Sequence, residues 1–124
     1  MSSLFAQVPF KVEKQLKLVN GTEVEVKSDL TNISFKMSSN TDYMTITSEN
    51  RDFGVKVKSK KMLIVDYKKS GEGIGGLRVY SCNSKDLGNI LIEEELTTMT
   101  GKVMYDRDRD GTYEEIYVLE SISN

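Results

Sequence analysis

The 124-residue chain has no histidine, no tryptophan, one cysteine and one proline. Each shortage removes a class of explanation. Without histidine the commonest general base is missing, and with it the catalytic triads built on imidazole. Zinc sites of the His/Cys type cannot be assembled either. The lone Cys82 closes no intrachain disulfide, so nothing asks for an oxidising compartment. No apolar run approaches the roughly 18 residues of a membrane-spanning helix. The opening "MSSLFAQVPF" lacks the basic head and long apolar stretch of a secretory signal. The expectation is one soluble domain, residues 1–124, intracellular or virion-associated and not inserted in a membrane. A domain of this length buries roughly two-thirds of its extended surface and needs no covalent staple.

What the chain does have is alternation. In "FKVEKQLKLV" the residues Phe10, Val12, Leu16 and Leu18 share parity, with Lys and Glu between them. Asn20-Gly21 then precedes "TEVEVK", and an Asn-Gly pair between alternating runs signals a hairpin, because a type I′ turn needs positive φ twice. The pattern returns in "NISFKM", "YMTITS", "FGVKVK", "LRVYSC", "TGKVMYD" and "YEEIYVLES". Met62–Val65 is apolar at every position and reads as a buried central strand. Residues 84–97 fit either a helix, through Leu87, Ile90 and Leu91, or a strand. Gly88 and the Ile-Leu-Ile run favour the strand. Residues 1–8 read as an N-terminal arm, and "SGEGIGG" (70–76) as a flexible glycine-rich loop. These signals predict an all-β domain of nine to ten short strands, a single antiparallel β-sandwich or a closed β-barrel.

Charge is unevenly spread although the net is only −2. Residues 51–78 hold eight Lys/Arg against three acids, and residues 79–124 hold four against ten. A basic segment followed by an acidic one suits head-to-tail self-association as well as a foreign partner.

The sharpest motif is "YDRDRDGTYEEIYV" (105–118). Oxygen ligands at alternating positions can converge on one hard cation. Here Asp106, Asp108 and Asp110 alternate before Gly111, Thr112 could add a carbonyl, and Glu114 follows. An EF-hand is excluded, because its twelfth position needs a bidentate glutamate and here holds Tyr117. The segment "DRDRDGTYE" resembles the D-x-D-x-D-G-x-x-D/E loops between strands of integrin-α-type and related extracellular repeats. That resemblance covers about nine residues and implies loop chemistry: a structural Ca²⁺ held by Asp106, Asp108, Asp110, Thr112 and Glu114, with Arg107 and Arg109 pointing outward. The plainer reading is a hairpin tip, since Asp-Gly is itself a preferred turn.

The basic stretch carries Lys56, Lys58, Lys60, Lys61, Lys68, Lys69 and Arg78, with Phe53, Tyr67 and Tyr80 nearby. Lysines on phosphates beside aromatic rings that stack bases would make a single-stranded nucleic-acid site on an OB-like barrel. Against it, parity puts Phe53, Val55 and Val57 on one face and Lys56 and Lys58 on the other. That is an ordinary surface strand, on which lysines also discourage edge-to-edge pairing. "SGEGIGGLR" lacks the Gly-Lys-Ser/Thr ending of a phosphate loop. Glu93 and Glu95 share one face with Glu94 opposite, which reads as a solvated edge and not as a catalytic pair.

By elimination and by charge segregation, the expected function is non-enzymatic. The chain would act through contact with a protein partner or through ordered self-assembly. A viral accessory or structural protein, or an inhibitor docking on a host protein, would have this character. The nucleic-acid and calcium readings stand as alternatives.

Overall fold

The computed structural model describes residues 8–39, 42–49, 51–66, 74–95 and 100–121. Among these there are nine strands and no helix: β1 (Val8–Val19), β2 (Thr22–Val26), β3 (Asn32–Met37), β4 (Tyr43–Ser48), β5 (Arg51–Asp66), β6 (Ile74–Ser84), β7 (Gly88–Glu95), β8 (Thr100–Asp106) and β9 (Glu115–Ser121). No helix long and apolar enough to cross a membrane occurs among them. Strands β3 to β9 pair with their neighbours in chain order, all antiparallel, and β9 returns to β1. The result is a closed eight-stranded barrel with one extra strand, β2. Of the two architectures the sequence left open, the barrel is the one formed.

Alternation explains where the core sits. Phe10, Val12, Ile33, Phe35, Met44, Ile46, Val55, Tyr80, Cys82, Ile90, Ile92, Val103, Tyr105, Tyr117 and Leu119 point inward and form one cluster. Lys11, Lys36, Lys56 and Lys102, each at an intervening position, are exposed. An eight-stranded barrel is just wide enough for side chains to fill its interior.

Three strands depart from the sequence reading. In β1 a bulge between Val12 and Lys14 inserts a residue and flips the later parity. Gln15 becomes the buried residue, while Leu16 and Leu18 are only half-buried on the other face. In β5 the two runs expected as separate strands are one, because Ser59–Lys61 forms no turn. A second bulge, between Val57 and Ser59, absorbs the change of phase. In β6, Ile74–Gly76 belongs to the strand and not to a loop, while residues 70–73 lie outside the described residues. Residues 1–7 of the expected N-terminal arm lie outside them as well, and Val8 already opens β1. The expected strand in 84–97 is β7, where Gly88 takes φ +82 in the turn from β6. Burial of the Met62–Val65 side chains also lies outside the described residues. Among the described residues their backbone pairs with β6 alone.

Candidate functional site

Successive antiparallel strands place alternate turns at opposite ends of the barrel. One end, called here the acidic mouth, gathers the β2–β3 link, the β4–β5 turn, the β6–β7 turn and the 107–114 loop. A half-open cleft of about 270 Å³ lies there, with Asp29, Glu49, Arg51, Asp86 and Arg107 on its walls. Its apolar lining comes from Leu30, Phe53, Leu87, Tyr105 and Tyr117.

Each polar wall group has a local cause. The Tyr117 hydroxyl donates to Asp29 Oδ1 at 2.7 Å, and the Asp29 amide donates to Gln15 Oε1 at 3.3 Å. The β1 bulge that turned Gln15 inward thus anchors the β2–β3 link over the core. Burial first, then the bond to Asp29, pushes the Tyr117 phenol well above its ordinary range. Arg107 lies over the Tyr105 ring at 5.4 Å and grips Glu115 at both ends, with Nε to Oε2 at 2.7 Å. Arg51 stacks on Phe53 at 4.8 Å. Glu49 accepts from the Thr31 amide at 2.9 Å and from the Thr31 hydroxyl, and these bonds, the hydroxyl's foremost, hold its carboxyl below the ordinary range. Asp29, Glu49, Arg107 and Tyr117 are thus held by their own neighbours.

Beside the cleft, the 107–114 loop closes on Asp106. This residue is almost fully buried, and its two carboxylate oxygens accept the amides of Asp110 (3.1 Å) and Gly111 (2.8 Å). Burial raises the Asp106 carboxyl, but the Gly111 and Asp110 amides together outweigh burial and leave it below the ordinary range. Asp110 in turn accepts the Thr112 amide at 2.9 Å. Arg109 takes φ +59 and Gly111 takes φ +91, the left-handed geometry that an Asp-Gly turn supplies.

Of the five residues expected around a cation, three carboxylates come together. Oxygens of Asp106, Asp110 and Glu114 all lie within 4.8 Å of one another. Asp108 is exposed and is not part of the group. The two arginines do not project outward as the motif suggested. Arg107 folds onto Tyr105 and Glu115, and Arg109 donates to the Ser84 carbonyl at 2.6 Å. Each thus ties the loop to a neighbouring strand.

Of the described members of the nucleic-acid set, Lys60, Arg78 and Tyr80 come together, and Phe53 lies apart from them. Phe53 lines the cleft at the acidic mouth. Lys56 and Lys58 are exposed partway along β5. Lys60, Arg78 and Tyr80 lie toward the far end, with the Lys60 ammonium 5.9 Å from the Tyr80 ring. Tyr67, Lys68 and Lys69 lie outside the described residues, as does the Lys61 side chain. The up-and-down strand order of the eight-stranded barrel also differs from the five-stranded Greek key of an OB-fold.

Sequence reasoning missed Asp29, Gln15, Arg51 and Glu94. Glu94 is not on a solvated edge. It faces the barrel interior opposite Arg78 in register, 3.8 Å from its Nη1 and about nine-tenths buried. That separation is an ion pair too long for a hydrogen bond, and among the described residues Glu94 Oε1 and Arg78 Nε have no hydrogen-bond partner. Burial lifts the Glu94 carboxyl above the ordinary range against the pull of Arg78, Tyr80 and Lys60. Parity alone separated Glu94 from Glu93 and Glu95; which side faced the interior needed the barrel. Cys82 sits in the core, and burial pushes its thiol up to about 12. No protein-family model, no curated protein and no solved structure matches this chain.

Proposed function

We propose that the chain is a non-enzymatic barrel that acts by protein contact, first of all by ordered head-to-tail association with copies of itself. One observation carries this reading: the acidic 106–114 loop lies at one end of the barrel, and Lys58 and Lys60 of β5 lie toward the other. β5 begins at the acidic mouth with Arg51 and Phe53, then runs about 3.3 Å per residue toward the other end. Lys58 and Lys60 therefore stand roughly 20–30 Å from that mouth. Opposite charges at opposite ends favour stacking of like molecules in one direction, because each end repels its own kind. The missing imidazole, and the engagement of Asp29, Glu49, Arg107 and Tyr117 with their own neighbours, support binding over bond-breaking. The test is light scattering across concentration and salt. Mass should rise with concentration at low ionic strength and fall back toward that of the single chain near 1 M salt, where the screening length is about 3 Å. A mass that stays monomeric up to millimolar protein refutes the reading.

A second reading is favoured by the converging oxygens of Asp106, Asp110 and Glu114: a Ca²⁺ that clamps the 107–114 loop. Asp106 already spends both oxygens on amides, so Asp110 and Glu114 would supply most of the free lone pairs. Millimolar Ca²⁺ should raise the melting temperature of the wild-type chain and leave Asp110→Asn unmoved. An equal response from both proteins refutes it.

A further inference from the structure

A closed barrel ordinarily has no strand edge to offer, yet among the described residues this one keeps two. Strand β2 pairs with the Gln15–Val19 half of β1, and among the described residues its outer edge bonds to nothing. Strand β5 pairs with β4 only as far as Lys56, and the Val57 amide then donates to the Asp42 carbonyl at 2.9 Å. From Lys58 to Asp66, β5 bonds to β6 alone among the described residues. The two edges lie at opposite ends of the barrel, since β2 leads into the link at the acidic mouth and β5 runs away from it.

Their charges are opposite. β2 carries Glu23 and Glu25, both exposed, and β5 carries Lys58 and Lys60, both exposed. Like charges on an edge are a usual guard against pairing. Here the guard is selective. Two β2 edges would set glutamate against glutamate, and two β5 edges would set lysine against lysine. Only β2 against β5 brings opposite charges together; opposite charges facing each other support a strand pair, and like charges there destabilise it. Val19 and Val24, about half exposed, lie on the other face of this hairpin.

We infer that the β2 edge of one copy adds to the Lys58–Asp66 edge of β5 in the next, continuing the sheet from molecule to molecule along the barrel axis. The inference rests on the self-association reading and names its surfaces. The contact is heterologous, so it propagates into chains unless the rotation per step closes a ring. Main-chain hydrogen bonds would supply the affinity and the Glu–Lys match the direction.

The test uses two charge reversals on exposed residues, Glu23→Lys/Glu25→Lys and Lys58→Glu/Lys60→Glu, each followed by light scattering alone and in an equimolar mixture. Each variant alone has edges of one sign only and should associate about tenfold or more weakly than wild type. Mixed together, each presents the complement of the other's edge, and association should return. Circular dichroism of each variant checks that the sheet is retained. If wild type associates and both single variants associate as strongly, the edge assignment is wrong while self-association stands. Weakened variants that do not recover on mixing overturn the assignment as well. A monomeric wild type overturns both.

Discussion

Replacing Gly88 by alanine tests how the acidic mouth is held. Gly88 sits at φ +82 in the turn that leads into β7, directly under the start of the 107–114 loop. A Cβ there would lie 2.2 Å from the Asp106 carbonyl oxygen and 2.7 Å from the Arg107 Cα. Both obstacles are backbone, so no side chain can swing aside. Left-handed geometry costs an L-residue about 1–2 kcal/mol, and forcing a methyl into filled space costs about 1–3 kcal/mol more. The sum is about 2–5 kcal/mol, against a stability of about 5–15 kcal/mol for a typical domain. With an unfolding entropy of about 2.1 cal/mol/K per residue, the melting temperature should fall by roughly 8–20 °C. Gly111→Ala is the internal control. Its φ of +91 imposes the same backbone cost, but nothing lies within 4 Å of its added Cβ. That variant should lose only about 1–2 kcal/mol, or roughly 4–8 °C. Thermal and urea melts of both variants measure the difference. If Gly88→Ala is no worse than Gly111→Ala, the close approach of the β6–β7 turn to the 107–114 loop does not exist as described.

Other consequences follow from the buried polar groups. Because the Glu94 carboxyl is raised in the folded state, the native chain binds its proton more tightly than the unfolded one, and stability contributed by this group is lost as pH rises from about 4.5 through the folded value. Glu94→Gln should flatten that part of the pH–stability curve in urea melts, and an unchanged slope refutes it. Asp106 has the opposite sign: its lowered carboxyl contributes stability above its ordinary value of 3.8 that is lost on further acidification, and Asp106→Asn should remove that acid-side slope. Cys82 should resist thiol reagents at pH 8 in the native chain and react at once in denaturant, since it is buried and its thiol is pushed up to about 12. Rapid labelling of native protein would contradict its place in the core. Tyr117→Phe should cost about 1 kcal/mol by deleting the bond to Asp29, read as a lower urea midpoint at unchanged slope.

How much of this was legible beforehand depends on the range of the interaction concerned. Period-2 alternation announced strands because side chains on a pleated backbone point to alternate faces, a local fact that survives in one dimension. Asn20-Gly21 announced the first hairpin for the same reason. Both residues take the positive φ that the turn demands, 51° and 81°. The Asp-Gly loop was visible as a loop, and its carboxylate spacing brought Asp106, Asp110 and Glu114 together.

Bulges were not legible. An extra residue near Glu13 or Lys58 leaves no compositional mark, yet it reverses which parity faces inward. Gln15 took the place of Leu16, and one long β5 replaced two strands. Closure was not legible either. Whether β9 meets β1 depends on the summed stagger of all the strands, and that sum decided between barrel and sandwich.

By itself, then, the chain determined its strand class, its turn positions, the absence of imidazole chemistry and the segregation of charge along its length. Only the tertiary structure decided that the acidic loop and the lysines Lys58 and Lys60 stand toward opposite ends, that Glu94 is buried against Arg78, and that two edges of opposite charge remain unpaired among the described residues. Those outcomes rest on contacts between residues far apart in sequence, whose meeting is fixed by register and closure and by no local preference.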